Sequence, residues 1–442
     1  MSATTGPDDS HVRATRAGRG RRRAISPLRG AWSVREFRGL VCAQIPSEVG
    51  DQVARVAIAL LVLERTGSAF GAALALALTY IPAFFGSALL GPLADRRPRR
   101  TLMLGADAGR FVLLLILAAL TTTGCPLLLL FLLLLVAEFL TPVFENARTA
   151  SVPTILGDAA WVTAGTALMR TLGLVSQLAG LIVGALLMTL FSPGSALLLD
   201  ALTFAVSFGI LAVVLVRRPA PLPGPTTMAG VVSDLRIGAS VLWADRSRRA
   251  LVLLAWGMVL TIVAPEALGL SYARSVGLQD YWGGILMASM IGGAAVGSML
   301  IARVKPLRQV ELILPLALVC NLPLLLTGVH PPIVILAMLW FIGGMAQAFF
   351  VTIMAFTTML TVDTQRGRVA GLAAAGFAVA ALIGMLAAGV LADHTSPAFA
   401  VTVFASLGVV IVVLAVRSWP GAQLRHDVGE LEHVLPLGDL ET

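Results

Sequence analysis

Charge is what this chain of 442 residues has least of, with 13% of it Asp, Glu, Lys or Arg. A water-soluble protein carries roughly 25%, so soluble enzyme folds are excluded. Lysine is almost missing. Lys305 is the single example, and basicity rests on arginine, a pattern that reflects genome composition more than function. The three cysteines, Cys42, Cys125 and Cys320, stand far apart. They have neither metal-site spacing nor an even-numbered disulfide framework, and read as small apolar fillers. No glycine-rich phosphate loop or nucleotide motif occurs, so ATP is not expected as the energy source. Histidine is missing from the depth of every apolar run. His330 and His394 lie at run ends, and His11, His426 and His433 in the tails. A histidine proton relay, a metal centre and a cofactor are therefore not expected. No cleavable signal peptide is evident.

Apolar length is abundant. Hydrophobic residues make up 57% of the chain, and mean hydropathy is +0.90. They fall in runs of about 20, the length that crosses ~30 Å of hydrocarbon as a helix. Backbone polar groups in lipid must be satisfied within the segment, which selects helices. The expectation is an all-α, multi-pass membrane protein. Its twelve transmembrane helices fall near 39–63, 69–92, 101–123, 126–148, 162–190, 194–216, 250–273, 281–302, 309–328, 332–358, 368–392 and 396–416. They divide into a basic tail (1–38), a six-helix bundle (39–217), a linker (218–249), a second six-helix bundle (250–417) and an acidic, flexible tail (418–442) with no evident role.

Arginine then orients the runs. With the N-terminus inside, 27 Lys and Arg residues fall in inside segments and 2, Arg65 and Arg274, outside. Cytoplasmic loops carry such an excess, so both termini are expected in the cytoplasm and the protein in the cell membrane. The formal net charge of +8 lies beside the apolar runs, where it orients helices and meets anionic lipid. Nucleic acid is not an expected partner. The basic tail, with nine arginines and three acids, reads as disordered or surface-lying. In the linker, Pro219, Pro221, Pro223 and Pro225 make a stiff spacer. Val231, Leu235 and Leu242 then share one face of an amphipathic helix expected on the membrane surface.

Segment 1 carries the most informative charges. Gln44, Glu48, Asp51 and Arg55 are spaced 4, 3 and 4, which puts them on one helical face. At ~1.5 Å per residue from Leu40, Glu48 lies ~12 Å deep and Arg55 ~22 Å. Charge at that depth costs at least about 2.5–3.5 kcal/mol on insertion scales, so these groups face a wet cavity or one another. Arg55 is expected to pair with Asp51 across one turn. A Glu48 that is neutral in one state and charged in another is what proton coupling requires. Asp107 with Arg110, and Glu145 with Arg148, read as pairs within their segments. Glu138 lacks one, and Arg170 can supply it; Asp200 is a further buried candidate. Pro142 suggests a kink in segment 4. Segments 7 to 12 hold almost no deep charge apart from Glu266. Asn321, Gln347 and several threonines would give that half's cavity wall its polarity, and Trp256, Trp340 and phenylalanines its apolar surface. A carboxylate-bearing half facing an apolar half suits an amphipathic or cationic organic compound.

The loop Gly91-Pro-Leu93-Ala94-Asp95-Arg96-Arg97-Pro-Arg99-Arg100 lies between segments 2 and 3. It resembles the major facilitator superfamily signature G-x-L-A-D-R-x-x-R-R at every fixed position. Gly173, Gly180 and Gly184 in segment 5 match G-x6-G-x3-G of the antiporter motif of proton-coupled exporters, with Ala185 where the family has proline. Arg366-Gly367-Arg368-Val369 opening segment 11, together with Gly50-Asp51, resembles the branch of siderophore exporters and macrolide-type drug efflux proteins. The resemblance covers about 38–417 and implies two six-helix bundles working by alternating access. It also implies that Asp95 meets the positive end of helix 11, with the arginines reaching acids or carbonyls of neighbours, as a latch of the cytoplasm-closed state. Physically the three glycines allow close helix approach. The function expected is proton-antiport export of a drug or natural product. Siderophore or biosynthetic-product export, metabolite import with protons, and a non-transporting receptor or lipid-handling protein are the alternatives. The expected partners are a small-molecule substrate, protons and the bilayer, with the chain a monomer.

Overall fold

The computed structural model describes residues 26–82, 84–85, 97–219, 228–362 and 365–434. All of Gly91 to Arg96, including Leu93, Ala94 and Asp95, therefore lies outside the described residues, as do 1–25 and 435–442. Helices account for nearly everything described. Short α1 (Pro27–Ser33) leads into α2 (Arg35–Thr66) and α3 (Ala69–Ala77). The first half continues with α4 (Arg99–Thr121), α5 (Leu127–Leu156), α6 (Ala159–Leu187) and α7 (Pro193–Val214). After the linker helix α8 (Met228–Ala244) come α9 (Arg246–Ser275), α10 (Asp280–Ile301) and α11 (Pro306–Leu325). The chain closes with α12 (Ile333–Ala346), α13 (Phe349–Met359), α14 (Arg366–His394), α15 (Pro397–Ser418) and α16 (Gly421–Val434).

Ten of these spans are long and apolar enough to cross a membrane, counting α12–α13 as one. The charged stripe sets α2 apart from them, and the second apolar run is described only to residue 85. The helices overrun the apolar runs because backbone bonding continues past the hydrocarbon. Thus α5 extends to Leu156 through both Pro142 and Pro153, so Pro142 does not end the helix. The tenth run instead breaks at Gln347 and Ala348.

Helices α2 to α7 pack together, α2 against α6 and α7, and α4 against α5 and α7. Helices α9 to α15 do the same, and the two groups meet through α3 with α14 and α6 with α10. At the end of the bundle away from the arginine-rich loops, Asp393 at the close of α14 receives three hydrogen bonds from the start of α3. Oδ2 accepts from Ser68 Oγ at 2.5 Å and Phe70 N at 3.3 Å, and Oδ1 from Ala69 N at 2.6 Å. Beside it, Arg274 of α9 reaches Glu64 of α2 at 3.0 Å while holding Asp280 at 2.6 Å. These hydrogen bonds and this ion pair join the two groups at that end.

Two expected tails and the linker carry docked helices. The first tail ends early: α1 docks Gly30 against the Trp161 ring of α6, with Ala31 fully buried. The linker helix packs on protein through its second half. Gly238 meets the Arg368 carbonyl, and Leu242 is buried among Val252, Val369 and Ala373; the side chains of Val231 and Leu235 are outside the described residues. The last tail is a docked helix, not a flexible one. Leu424 and Val428 of α16 are buried in the core of the second half, and Ser247 Oγ donates to Asp427 at 3.1 Å. In each case a few apolar residues of a helix outside the long apolar runs find a groove that hydropathy averaging hides.

Candidate functional site

A cavity of about 590 Å³ opens among α2, α5 and α6, and all of its lining comes from these three helices. Helix α2 contributes Gln44, Glu48, Asp51, Gln52 and Arg55. Thr141, Glu145, Arg148 and Val152 of α5 face them, as do Thr166, Arg170, Gly173 and Gln177 of α6. Both of these sets repeat the 4, 3, 4 spacing of Gln44, Glu48, Asp51 and Arg55. Three helices thus turn one polar face each toward a common space. The rule that singles out the α2 stripe applies equally to α5 and α6, and would have found Thr141, Arg148 and Gln177.

The helices come close enough for this because of the segment-5 glycines. A Cβ on Gly180 would stand 2.7 Å from the Val49 carbonyl oxygen, and one on Gly184 would stand 3.0 Å from Val53 Cα. Gly173 lies under Glu48, whose Oε2 would be 3.0 Å from an added Cβ. Ala185, at the family's proline position, packs on Gly284 of α10.

Glu48 accepts from Gln44 Nε2 at 2.7 Å and lies 3.6 Å from Arg148 Nη1. Gln44 is buried and also donates to the Met169 carbonyl of α6 at 3.0 Å. Glu48 Oε2 is enclosed without a hydrogen-bond partner. Arg148 also pairs with Glu145, as its spacing anticipates. Asp51 does not pair with Arg55. Its partner is Arg110 Nη1 of α4, at 3.8 Å. Arg110 is buried, lies 4.7 Å above the Phe204 ring and donates to Thr141 Oγ1. Asp107 is then left to Ser207, whose Oγ donates to it at 2.7 Å. A rotation of 100° per residue puts Asp107 and Arg110 on one face, but the acceptors on α2 and α5 draw the guanidinium across.

A smaller pocket behind Asp51 is lined by Arg55, Arg110, Glu138, Thr141 and Asp200, among others. Asp51, Arg55 and Thr141 line both spaces. Glu138 accepts from Thr141 at 3.4 Å, not from Arg170. Arg170 is exposed in the larger cavity. Buried Asp200 accepts from Thr203 at 3.1 Å. Arg55 makes no ion pair among the described residues, and its charge is attracted by those of Glu138, Asp51 and Glu266, the last from α9 of the second half.

The other sequence candidates sit at the arginine-rich end. Arg99 Nη1 donates to the Ala150 carbonyl at 2.6 Å, and Arg100 Nη2 to Ala212 at 2.6 Å. Both acceptors belong to the arginines' own half. Arg366 Nε binds the Thr358 and Thr361 carbonyls at 3.0 Å, closing the end of α13, and Gly367 has open space about it. Asn321 and Trp340 do not line a cavity wall. Asn321 is buried in the second half, donating to Ala317 at 3.0 Å, and Trp340 donates to Thr327 at 3.1 Å.

The Major Facilitator Superfamily model matches residues 40–331. The nucleoside transporter NupG superposes with a TM-score of 0.68 at 16% identity, covering 87% of this chain and 99% of its own. PepTSo, a POT family transporter, gives 0.66 at 11% identity over 89% and 98%. A proton-dependent oligopeptide transporter gives 0.64 at 12% identity over 90% and 99%. At these identities the likeness is one of fold. No curated protein matches the chain at a significant level.

Proposed function

The chain belongs to the major facilitator superfamily, and from that membership we propose that it is a secondary transporter exporting a small amphipathic or cationic organic compound in exchange for protons. One observation carries the proposal. In its membrane-spanning interior the first half buries or half-buries six carboxylates, Glu48, Asp51, Asp107, Glu138, Glu145 and Asp200, against three guanidiniums, Arg55, Arg110 and Arg148, with Arg170 exposed on the cavity wall. A surplus of three negative charges is costly in a low-dielectric region. Bound protons or a cationic substrate would neutralise it, and exchanging one for the other is antiport. Glu48, on the cavity wall with an unused oxygen, is the group best situated for that exchange. Asp51, held by Arg110 and shared by both spaces, would pass the change of charge inward.

Alternating access supplies the motion. With both termini and the arginine-rich loops in the cytoplasm, the Asp393 and Arg274 contacts close the outer end, and the cavity belongs to the inward-facing state. Asp95 would perform the corresponding service at the opposite end of α14 when the cytoplasmic side closes.

The test uses inside-out vesicles loaded with the full chain and ethidium as a lipophilic cationic probe. An acid interior is expected to drive ethidium accumulation, and Glu48→Gln to abolish the gradient dependence. Accumulation indifferent to the pH gradient, with Glu48→Gln behaving as wild type, overturns the coupling claim.

A further inference from the structure

Away from the transport cavity, a second space of about 450 Å³ lies at the arginine-rich ends of α4, α5 and α7. Arg99, Arg100 and Arg218 line it with Ser151, Leu215 and Val216. The three arginines differ in how their charge is met. Arg218 is balanced, gripping Glu36 through Nη1 at 2.6 Å and Nη2 at 3.0 Å, and this carboxylate holds the Arg218 guanidinium pKa above its ordinary value. Arg99 and Arg100 have no carboxylate within ion-pair distance among the described residues. Arg99 uses only Nη1, on Ala150 and Thr154, and Arg100 only Nη2, on Ala212. A guanidinium offers five N–H donors. Both Nε groups here are enclosed and without an acceptor. Two anchored cations with spare donors, and with no carboxylate partner among the described residues, therefore share one space.

Apolar surface adjoins that charge. Val216, on the rim, is 57% exposed, and Val213, one turn further into α7, is 74% exposed. In a membrane-spanning helix such residues face acyl chains. Cations at the headgroup level with bare valines beneath match the two ends of a phospholipid. Basic pockets between membrane helices on the cytoplasmic side hold anionic headgroups, and arginine binds phosphate oxygens in pairs.

We propose that the space bounded by Arg99, Arg100 and Ser151 is a binding site for the phosphate headgroup of an anionic phospholipid of the cytoplasmic leaflet. The phosphate would take the free donors of Arg99 and Arg100, and its chains would run along Val216 and Val213. Because both arginines also tie α4 to α5 and α7, an occupied site would brace these three helices at one end.

The test is native mass spectrometry of the full chain in detergent, titrated with phosphatidylglycerol, phosphatidylcholine or inorganic phosphate. Phosphatidylglycerol is expected to bind in preference to phosphatidylcholine. Arg99→Gln with Arg100→Gln should weaken it by roughly 30-fold, from about 1 kcal/mol per basic residue near a membrane surface. Should that double variant fail to fold, Ser151→Phe tests the same space by filling it, since Ser151 bonds only within its own helix, to Ala147. It is expected to lose the headgroup preference while keeping its unfolding temperature in lipid-free detergent. Equal binding of both lipids, or undiminished preference in a folded variant, overturns the proposal. Inorganic phosphate displacing phosphatidylglycerol at comparable concentration also overturns the lipid source, leaving a soluble phosphate compound as the ligand.

Discussion

Arg110 shows how one side chain can hold a site together from outside it. It stands on α4 and joins Asp51 of α2, Thr141 of α5 and the Phe204 ring of α7. Removing one partner of a buried pair costs about 3–5 kcal/mol, because the other charge is left uncompensated. Arg110→Gln is accordingly expected to lower the thermal midpoint in detergent sharply. The double variant Asp51→Asn, Arg110→Gln should lose less than the sum of the two single changes. Additive losses would mean that the pair is not coupled. That Asp51 and Arg55 share a face was legible in the spacing. That Asp51 turns to another helix was not, since helical periodicity says which way a side chain points and nothing about which neighbour stands there. The same limit explains Asp107, whose partner proved to be Ser207, a residue with no signal of its own.

Among elements, the contact between α14 and α3 is the most informative. Asp393 ends one helix and caps the start of another from the opposite half. Capping a helix N-terminus is worth about 0.5–2 kcal/mol, and only the state closed at this end makes the contact. Asp393→Asn, in a chain with its cysteines replaced, is expected to shift the balance toward a state open at this end by roughly 2- to 30-fold, at about 1.4 kcal/mol per tenfold. Spin-label distances between the start of α3 and the end of α14 would report it as a grown long-distance population. An unchanged distance distribution would count against an outer lock. Hydropathy located both ends of α14 and the start of α3 within a few residues, because apolar length is what lipid selects. It missed the docking of α1, α8 and α16, whose contacts rest on two or three apolar residues each.

For the whole molecule, the docked α16 makes a separate prediction. Leu424 is fully buried against the second half. Leu424→Ala is expected to cost about 2–5 kcal/mol in unfolding of that half, read as a lowered thermal midpoint with the first half's cavity unaffected. A midpoint equal to wild type would show that the helix is dispensable to the core. The sequence by itself determined a helical membrane protein and the 4, 3, 4 stripe of α2. Apolar length, arginine placement and helical period are local quantities that the chain states one segment at a time. Tertiary structure alone decided that α5 and α6 bring matching stripes to the same cavity and that Arg110 takes Asp51 from Arg55. It also decided that Asp393 meets α3, some 320 residues away along the chain. Those outcomes depend on how close two helices approach, which the small residues Gly173, Gly180 and Gly184 permit but only packing against α2 realises.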